Sequence, residues 1–154
     1  MDLLLWRHAH ARDALQGESD MDRPLTDKGR RQSEKIAHWL NKHLPKESLV
    51  LCSPAVRTVQ TVQVLGRPYQ LCEQIRPDSS AASLLAACQW PHAATPVLVV
   101  AHQPFLSQTV SQLLGLPLTQ PMSFRKGSLW WLCGEVTGSS SAVKLLTIQD
   151  PDLC

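Results

Sequence analysis

The chain has no run of apolar residues long enough to cross a bilayer, which removes membrane-spanning functions at the outset. It also lacks a clustered excess of charge. A formal net charge of +2 and a pI near 8.3 are too mild for a nucleic-acid groove or a membrane-binding face, each of which needs grouped basic residues. The 5 cysteines (Cys52, Cys72, Cys88, Cys133 and Cys154) form no C-x-x-C pair, and an odd number cannot all pair within one chain. Reduced thiols in a cytosolic protein are the expectation. The opening residues do not read as a signal peptide, because Asp2 precedes an apolar run of only Leu3 to Trp6 that Arg7 ends. A cytoplasmic location is expected accordingly. No internal repeat is evident, and the one biased stretch is Gly-Ser-rich, at 138–141.

What is present suits a single globular domain over residues 1–154, with 44% hydrophobic and 18% charged residues. Residues 1–76 hold 12 of the 15 lysines and arginines against 9 of the 13 acids, leaving +3 there and −1 beyond. That half would suit an anionic ligand. Lys28, Arg30, Arg31 and Lys35, however, fall in one helical segment and read more simply as a solvated face.

Three short apolar runs organise the chain. Leu3 to Trp6 has the pattern of a strand buried on both faces and stops at Arg7-His8-Ala9-His10. Leu49 to Cys52 leads into Ser53-Pro54, read as an N-cap and first helical position, so that Arg57 falls in the opening turn of a helix to about Leu65. Val97 to Val100 ends at Ala101-His102, with Pro104 starting a helix through Leu114 and Gly115 stopping it. Between the first two runs, residues 11–25 read as a long loop ending near Arg23. Thr26 then caps a helix that Pro45 ends. Tyr69 to Cys72 reads as a short strand, Ala81 to Cys88 as a short helix, and Leu129 to Cys133 with Val143 to Ile148 as a closing hairpin at a sheet edge. The expected fold is an α/β three-layer sandwich with a mainly parallel central sheet. Ligands of such sheets bind beyond the carboxyl ends of the strands, which is where Arg7, His8, Arg57 and His102 fall.

Two arginines and two histidines on one rim suit a phosphoryl group. An arginine fork binds two phosphate oxygens and stays charged. The transition state of phosphoryl transfer spreads charge over its equatorial oxygens, so fixed positive donors stabilise it. An imidazole in line with phosphorus can attack it to form a covalent phosphohistidine, for which His8 must be neutral, while a cationic His102 would complete the oxygen-binding ring. His8-x-His10 with His102 and Asp13 could also supply metal ligands, but the spacing matches no strong metal motif; neither metal nor cofactor is expected.

Arg7-His8-Ala9 resembles the R-H-G signature of the histidine phosphatase superfamily, which includes phosphoglycerate mutases and acid phosphatases. Pro24-Leu25-Thr26 with Gly29 and Gln32 resembles its P-L-T-x-x-G-x-x-Q, and Ser53 with Arg57, Gln60 and Thr61 its S-x-x-x-R-x-x-Q-T. Ala101-His102-Gln103-Pro104-Phe105-Leu106-Ser107 is similar to the G-H-x-P-x-L-S of the small bacterial branch, the SixA-type phosphohistidine phosphatases, and Arg125-Lys126-Gly127-Ser128 to that branch's late K-G segment. The resemblance implies a phosphoglycerate mutase-like fold with His8 as phosphoacceptor. Arg7, Arg57 and His102 would form the phosphate pocket, with Arg23 a further pocket residue. Ala9 and Ala101 depart from the family's glycines, which would bring the backbone less close to phosphate. Ala14 replaces an asparagine of mutase-like members, against a mutase-type pocket.

Relatives that cleave esters use a carboxylic acid to protonate the leaving alcohol. Here Asp78 is the one candidate nearby, with Glu73 next, and Asp78 reads more simply as a turn or capping residue. A leaving imidazole would tolerate a missing acid, so the resemblance implies a phosphorylated histidine-containing protein domain, on a phosphorelay or phosphocarrier protein, as substrate and partner. The alternatives are a small-molecule phosphomonoesterase with Asp78 as general acid, and a non-catalytic module that binds phosphorylated partners. A monomer is the expected state.

Overall fold

In the computed structural model, which describes residues 1–119, 122–137 and 140–153, the three apolar runs lie side by side. They form β1 (Asp2–Arg7), β2 (Leu49–Cys52) and β4 (Val97–Ala101), in a six-stranded sheet of order β3-β2-β4-β1-β5-β6. Strand β3 is Gln70–Leu71, and β5 (Leu129–Thr137) and β6 (Ser140–Gln149) form the edge hairpin. Pairings among β1 to β4 are parallel, while β5 runs antiparallel to β1 and to β6, so the sheet is mixed and mostly parallel at its centre. The hairpin strands are longer than sequence pattern indicates because cross-strand pairing reaches Thr137↔Ser140. Of the Gly-Ser-rich stretch, residues 138 and 139 lie outside the described residues.

Alternation of side chains divides the core into two layers. Leu4, Trp6, Val50, Cys52, Leu98 and Val100 pack against α1 (Asp27–His43) and α2 (Val56–Gln63). Leu3, Leu5, Leu51, Val97 and Val99 face α3 (Ala81–Ala87) and α4 (Phe105–Leu113). Both faces of β1, β2 and β4 are thus covered, which is why their sequences are continuously apolar rather than alternating. Each fully buried leucine or valine contributes about 1.5–3 kcal/mol, enough to hold this register and hence the residues beyond its end.

Helix α1 begins as expected, with Thr26 Oγ1 accepting from the Gly29 N–H. Helix α2 does not. It starts at Val56 with Ala55 at the N-cap position, because the Ser53 hydroxyl is engaged elsewhere, at 2.7 Å from His102 Nε2. Arg57 still falls in the first turn.

Candidate active site

Register brings His8 and His102 together. Arg7 pairs with Ala101 and Cys52 with Val100, so His8, Ser53 and His102 follow three neighbouring strand ends. The His8 N–H donates to the Ala101 carbonyl at 3.1 Å, and the Gly127 N–H donates to the His8 carbonyl at 3.1 Å. Gly127 has φ +78, so the Lys126-Gly127 turn needs a residue without a side chain to bring that amide onto the His8 backbone. The ring centroids of His8 and His102 are 5.3 Å apart.

The ring of His8 is oriented by its neighbour. Its Nδ1 lies 2.8 Å from the Ala9 carbonyl, which can only accept, so Nδ1 carries the proton and Nε2 presents a lone pair. Burial pushes the imidazole well below its ordinary 6.5, with smaller contributions from His102, Arg57 and Arg7, against an opposing effect of the Ala9 carbonyl. The ring is neutral at physiological pH.

His102 corrects an expectation. Burial, followed by the charges of Arg57, Arg7 and Arg23, pushes it down to about 3, so in the free protein it is neutral rather than cationic. It can still donate. If Ser53 Oγ–H donates to Nε2, the imidazole proton resides on Nδ1, which is buried and without a partner among the described residues. The Nε atoms of Arg7 and Arg57 are buried and unpartnered in the same way. Buried donors are normally satisfied, so the unpartnered Nε–H groups of Arg7 and Arg57, whose charges act on both imidazoles, suit an oxyanion.

Arg7 is anchored by Nη1 donating to the Phe124 carbonyl. Arg57 is anchored by Asp20, a residue that sequence pattern did not single out. Arg57 Nη1 donates to the Asp20 carbonyl at 2.6 Å and Nη2 to Asp20 Oδ2 at 3.0 Å, while Arg23 Nε lies 3.0 Å from Asp20 Oδ1, a contact of charges without hydrogen-bond alignment. One carboxylate therefore bridges two of the predicted arginines. A faint signal existed in the sequence: Asp20 is an acid three residues before Arg23, at the end of a loop that carries a candidate pocket residue. That loop is more ordered than its composition indicates. Arg12 pairs with Glu18 at 2.6 Å and holds it down at about 2, and Asp20–Asp22 form a single 3-10 turn.

The remaining motif residues brace the segment around His8. Thr61 Oγ1 accepts from the Ala9 N–H, Gln60 Oε1 accepts from the Leu25 N–H, and Gln32 Oε1 accepts from the His10 N–H. Gly29 packs so tightly that a Cβ there would meet the His10 carbonyl oxygen at 2.0 Å. His10 is turned onto Thr26 Oγ1 at 2.8 Å rather than toward His8. Neither Ala9 nor Ala101 has positive φ, and the Ala9 amide is committed to Thr61. Asp78 stands apart. It is exposed in a turn and makes no hydrogen bond or ion pair among the described residues, Ser80 caps α3, and Glu73 pairs with Arg76. No three His, Cys, Asp or Glu side chains converge as a metal site among the described residues.

The model of the histidine phosphatase superfamily (branch 1) matches residues 3–80. An uncharacterized protein of Picosynechococcus sp. is 33% identical over 115 residues, spanning 70% of each chain. The chain belongs to the histidine phosphatase superfamily and is a phosphatase. Within that superfamily it falls in the SixA-type branch: it is 29% identical over 121 residues to the phosphohistidine phosphatase SixA of Escherichia coli, covering 73% of this chain and 74% of the relative. The structure of the protein histidine phosphatase SixA complexed with tungstate superposes with a TM-score of 0.77 at 26% identity, covering 99% of both chains.

Proposed function

We propose that this chain removes phosphoryl groups from phosphohistidine on a protein, through a covalent intermediate on His8. The observation that carries the first half is the His8–Ala9 hydrogen bond: it leaves a neutral Nε2 lone pair beside the unpartnered donors of Arg7, Arg57 and His102. Nε2 attacks phosphorus, the bond from phosphorus to the substrate's imidazole nitrogen breaks, and that nitrogen takes a proton from water. Water then attacks the phosphohistidine formed on His8 and releases inorganic phosphate, while Arg7, Arg57 and Arg23 hold the oxygens through both steps.

The substrate half rests on the carboxylates. Among the described residues, those that pair with Arg7, Arg23 or Arg57 are Asp20, whose two oxygens face guanidinium groups, and fully exposed Asp13 at 3.9 Å from Arg23. Asp20 is taken up by those guanidinium groups, Asp13 points into solvent, and Asp78 makes no hydrogen bond or ion pair among the described residues. A phosphoramidate, whose leaving imidazole is readily protonated by water, needs no such acid, whereas an alkyl ester does. The tungstate bound by the related SixA is an oxyanion of the kind this pocket would hold.

Brief exposure of the wild-type protein to a radiolabelled phosphohistidine domain should leave an acid-labile, base-stable label that is absent from His8→Gln. A wild-type protein that never acquires the label would sink the covalent mechanism. Turnover of aryl or sugar phosphates that collapses in Asp78→Asn would replace the protein substrate with a small ester.

A further inference from the structure

A cleft of about 420 Å³ opens beside Arg7 and is lined by His10, Lys28, Gln32, Arg125, Lys126 and Asp152 among others. Its charges divide into two groups. Arg125 is spent on Asp150 at 2.9 Å and Asp152 at 3.1 Å, and Gln32 Nε2 donates to Asp152 as well. Arg7, Lys28 and Lys126 make no ion pair among the described residues. Asp152 is influenced by Lys28 only beyond ion-pair range.

Within the chain this grouping of like charge is offset only beyond ion-pair range, by Asp152 near Lys28 and Asp13 near Lys126. Lys28 is the second residue of α1, where the helix dipole already presents positive charge, so its position opposes helix stability. Lys126 is pushed down first by partial burial and then by Arg7, Arg23 and Lys28, with Asp13 opposing. His10, on the same wall, is pushed down by burial and then by Lys126 and Lys28, so it adds no further charge at neutral pH. Cations that repel one another without carboxylate partners mark a surface whose counter-charge comes from outside the chain.

We propose that this cleft receives carboxylate side chains flanking the phosphohistidine of a protein substrate, with Lys28 and Lys126 selecting an acidic segment next to the arginine that holds the phosphoryl group. The inference rests on the phosphohistidine reading given above. Two features favour carboxylates over a second phosphate. The cleft's one additional guanidinium, Arg125, is already occupied by Asp150 and Asp152. Lysines, in turn, offer point charges without the fork that fixes a phosphate bidentately, which suits mobile acidic side chains. Arg7 lines the cleft and also belongs to the phosphoryl pocket, so an acidic segment in the cleft would sit directly against the transferred group.

The test uses two synthetic phosphohistidine peptides, one flanked by Asp and Glu and the other by Asn and Gln at the same positions. The wild-type protein should turn over the acidic peptide with a kcat/KM about fivefold or more above the neutral one, a preference that shrinks as sodium chloride rises. In Lys28→Gln/Lys126→Gln the preference should vanish, while the neutral peptide stays within about twofold of wild type; both lysines are exposed, so the fold is not at stake. Equal turnover of the two peptides by the wild type, a preference that survives in the double variant, or equal slowing of both peptides would overturn the docking role. Turnover of neither peptide would remove the phosphohistidine reading and this inference together, a result distinct from turnover without discrimination.

Discussion

The carboxylate of Asp20 touches both Arg57 and Arg23, and its backbone carbonyl takes a second hydrogen bond from Arg57. Both terminal nitrogens of Arg57 are thus bonded to Asp20, and its buried Nε is the guanidinium nitrogen without a partner among the described residues. We therefore expect Asp20→Asn to lower kcat/KM about tenfold and to weaken vanadate inhibition, because the two guanidinium groups lose a common anchor. Inhibition that tightens instead would mean that Asp20 competes with the phosphoryl group for the arginines. Arg7, His8, Arg57 and His102 were readable as a cluster in sequence because each follows an apolar run or opens the next helix. Asp20 was not, since an acid in an aperiodic loop carries no pattern until the loop folds back on α2.

At the scale of elements, the junction between β1 and α1 does more than connect. Gly29 in the first turn of α1 lies against the His10 backbone, and Thr26 and Gln32 both bond to His10. Gly29→Ala places a carbon at 2.0 Å from the His10 oxygen, so either helix or loop must shift. The expected result is a loss of about 2 kcal/mol or more, read as a fall of roughly 5 °C in thermal midpoint, together with lower activity as the His8 segment moves. A variant that keeps wild-type midpoint and activity would show that this contact is soft. The helix starts illustrate how far local signals reach. Thr26 caps α1 as its pattern indicates, whereas Ser53, equally suited to capping, is taken by His102. A cap competes with tertiary partners, and only the assembled sheet brings His102 within reach of that hydroxyl.

For the whole molecule, burying two neutral imidazoles makes stability depend on pH. His102 titrates at about 3 in the fold against 6.5 in the unfolded chain, and His8 is displaced in the same direction. Between these values the unfolded chain binds more protons, so stability rises with pH and is lost as pH falls below 6.5, while neither group contributes above it. His102 alone should remove about 2 kcal/mol between pH 7 and pH 5, a range in which carboxylates scarcely titrate. Urea unfolding at the two pH values should show that loss in the wild type and a smaller one in His102→Gln; equal losses would place the titrating groups elsewhere.

Local information determined much of this protein: strands apolar on both faces, helices with their periodic faces, and therefore a layered α/β fold with Arg7, His8, Arg57 and His102 gathered at one rim. These follow from side-chain alternation and burial, which act over a few residues. What only the tertiary structure decided is how the charges on that rim are balanced. Asp20 bridges two arginines, burial strips His102 of its expected proton, and the pairing of Arg125 with Asp150 and Asp152 leaves Lys28 and Lys126 unmatched. Those outcomes depend on distance and desolvation between residues remote in the chain, quantities that come into being only when the chain has folded.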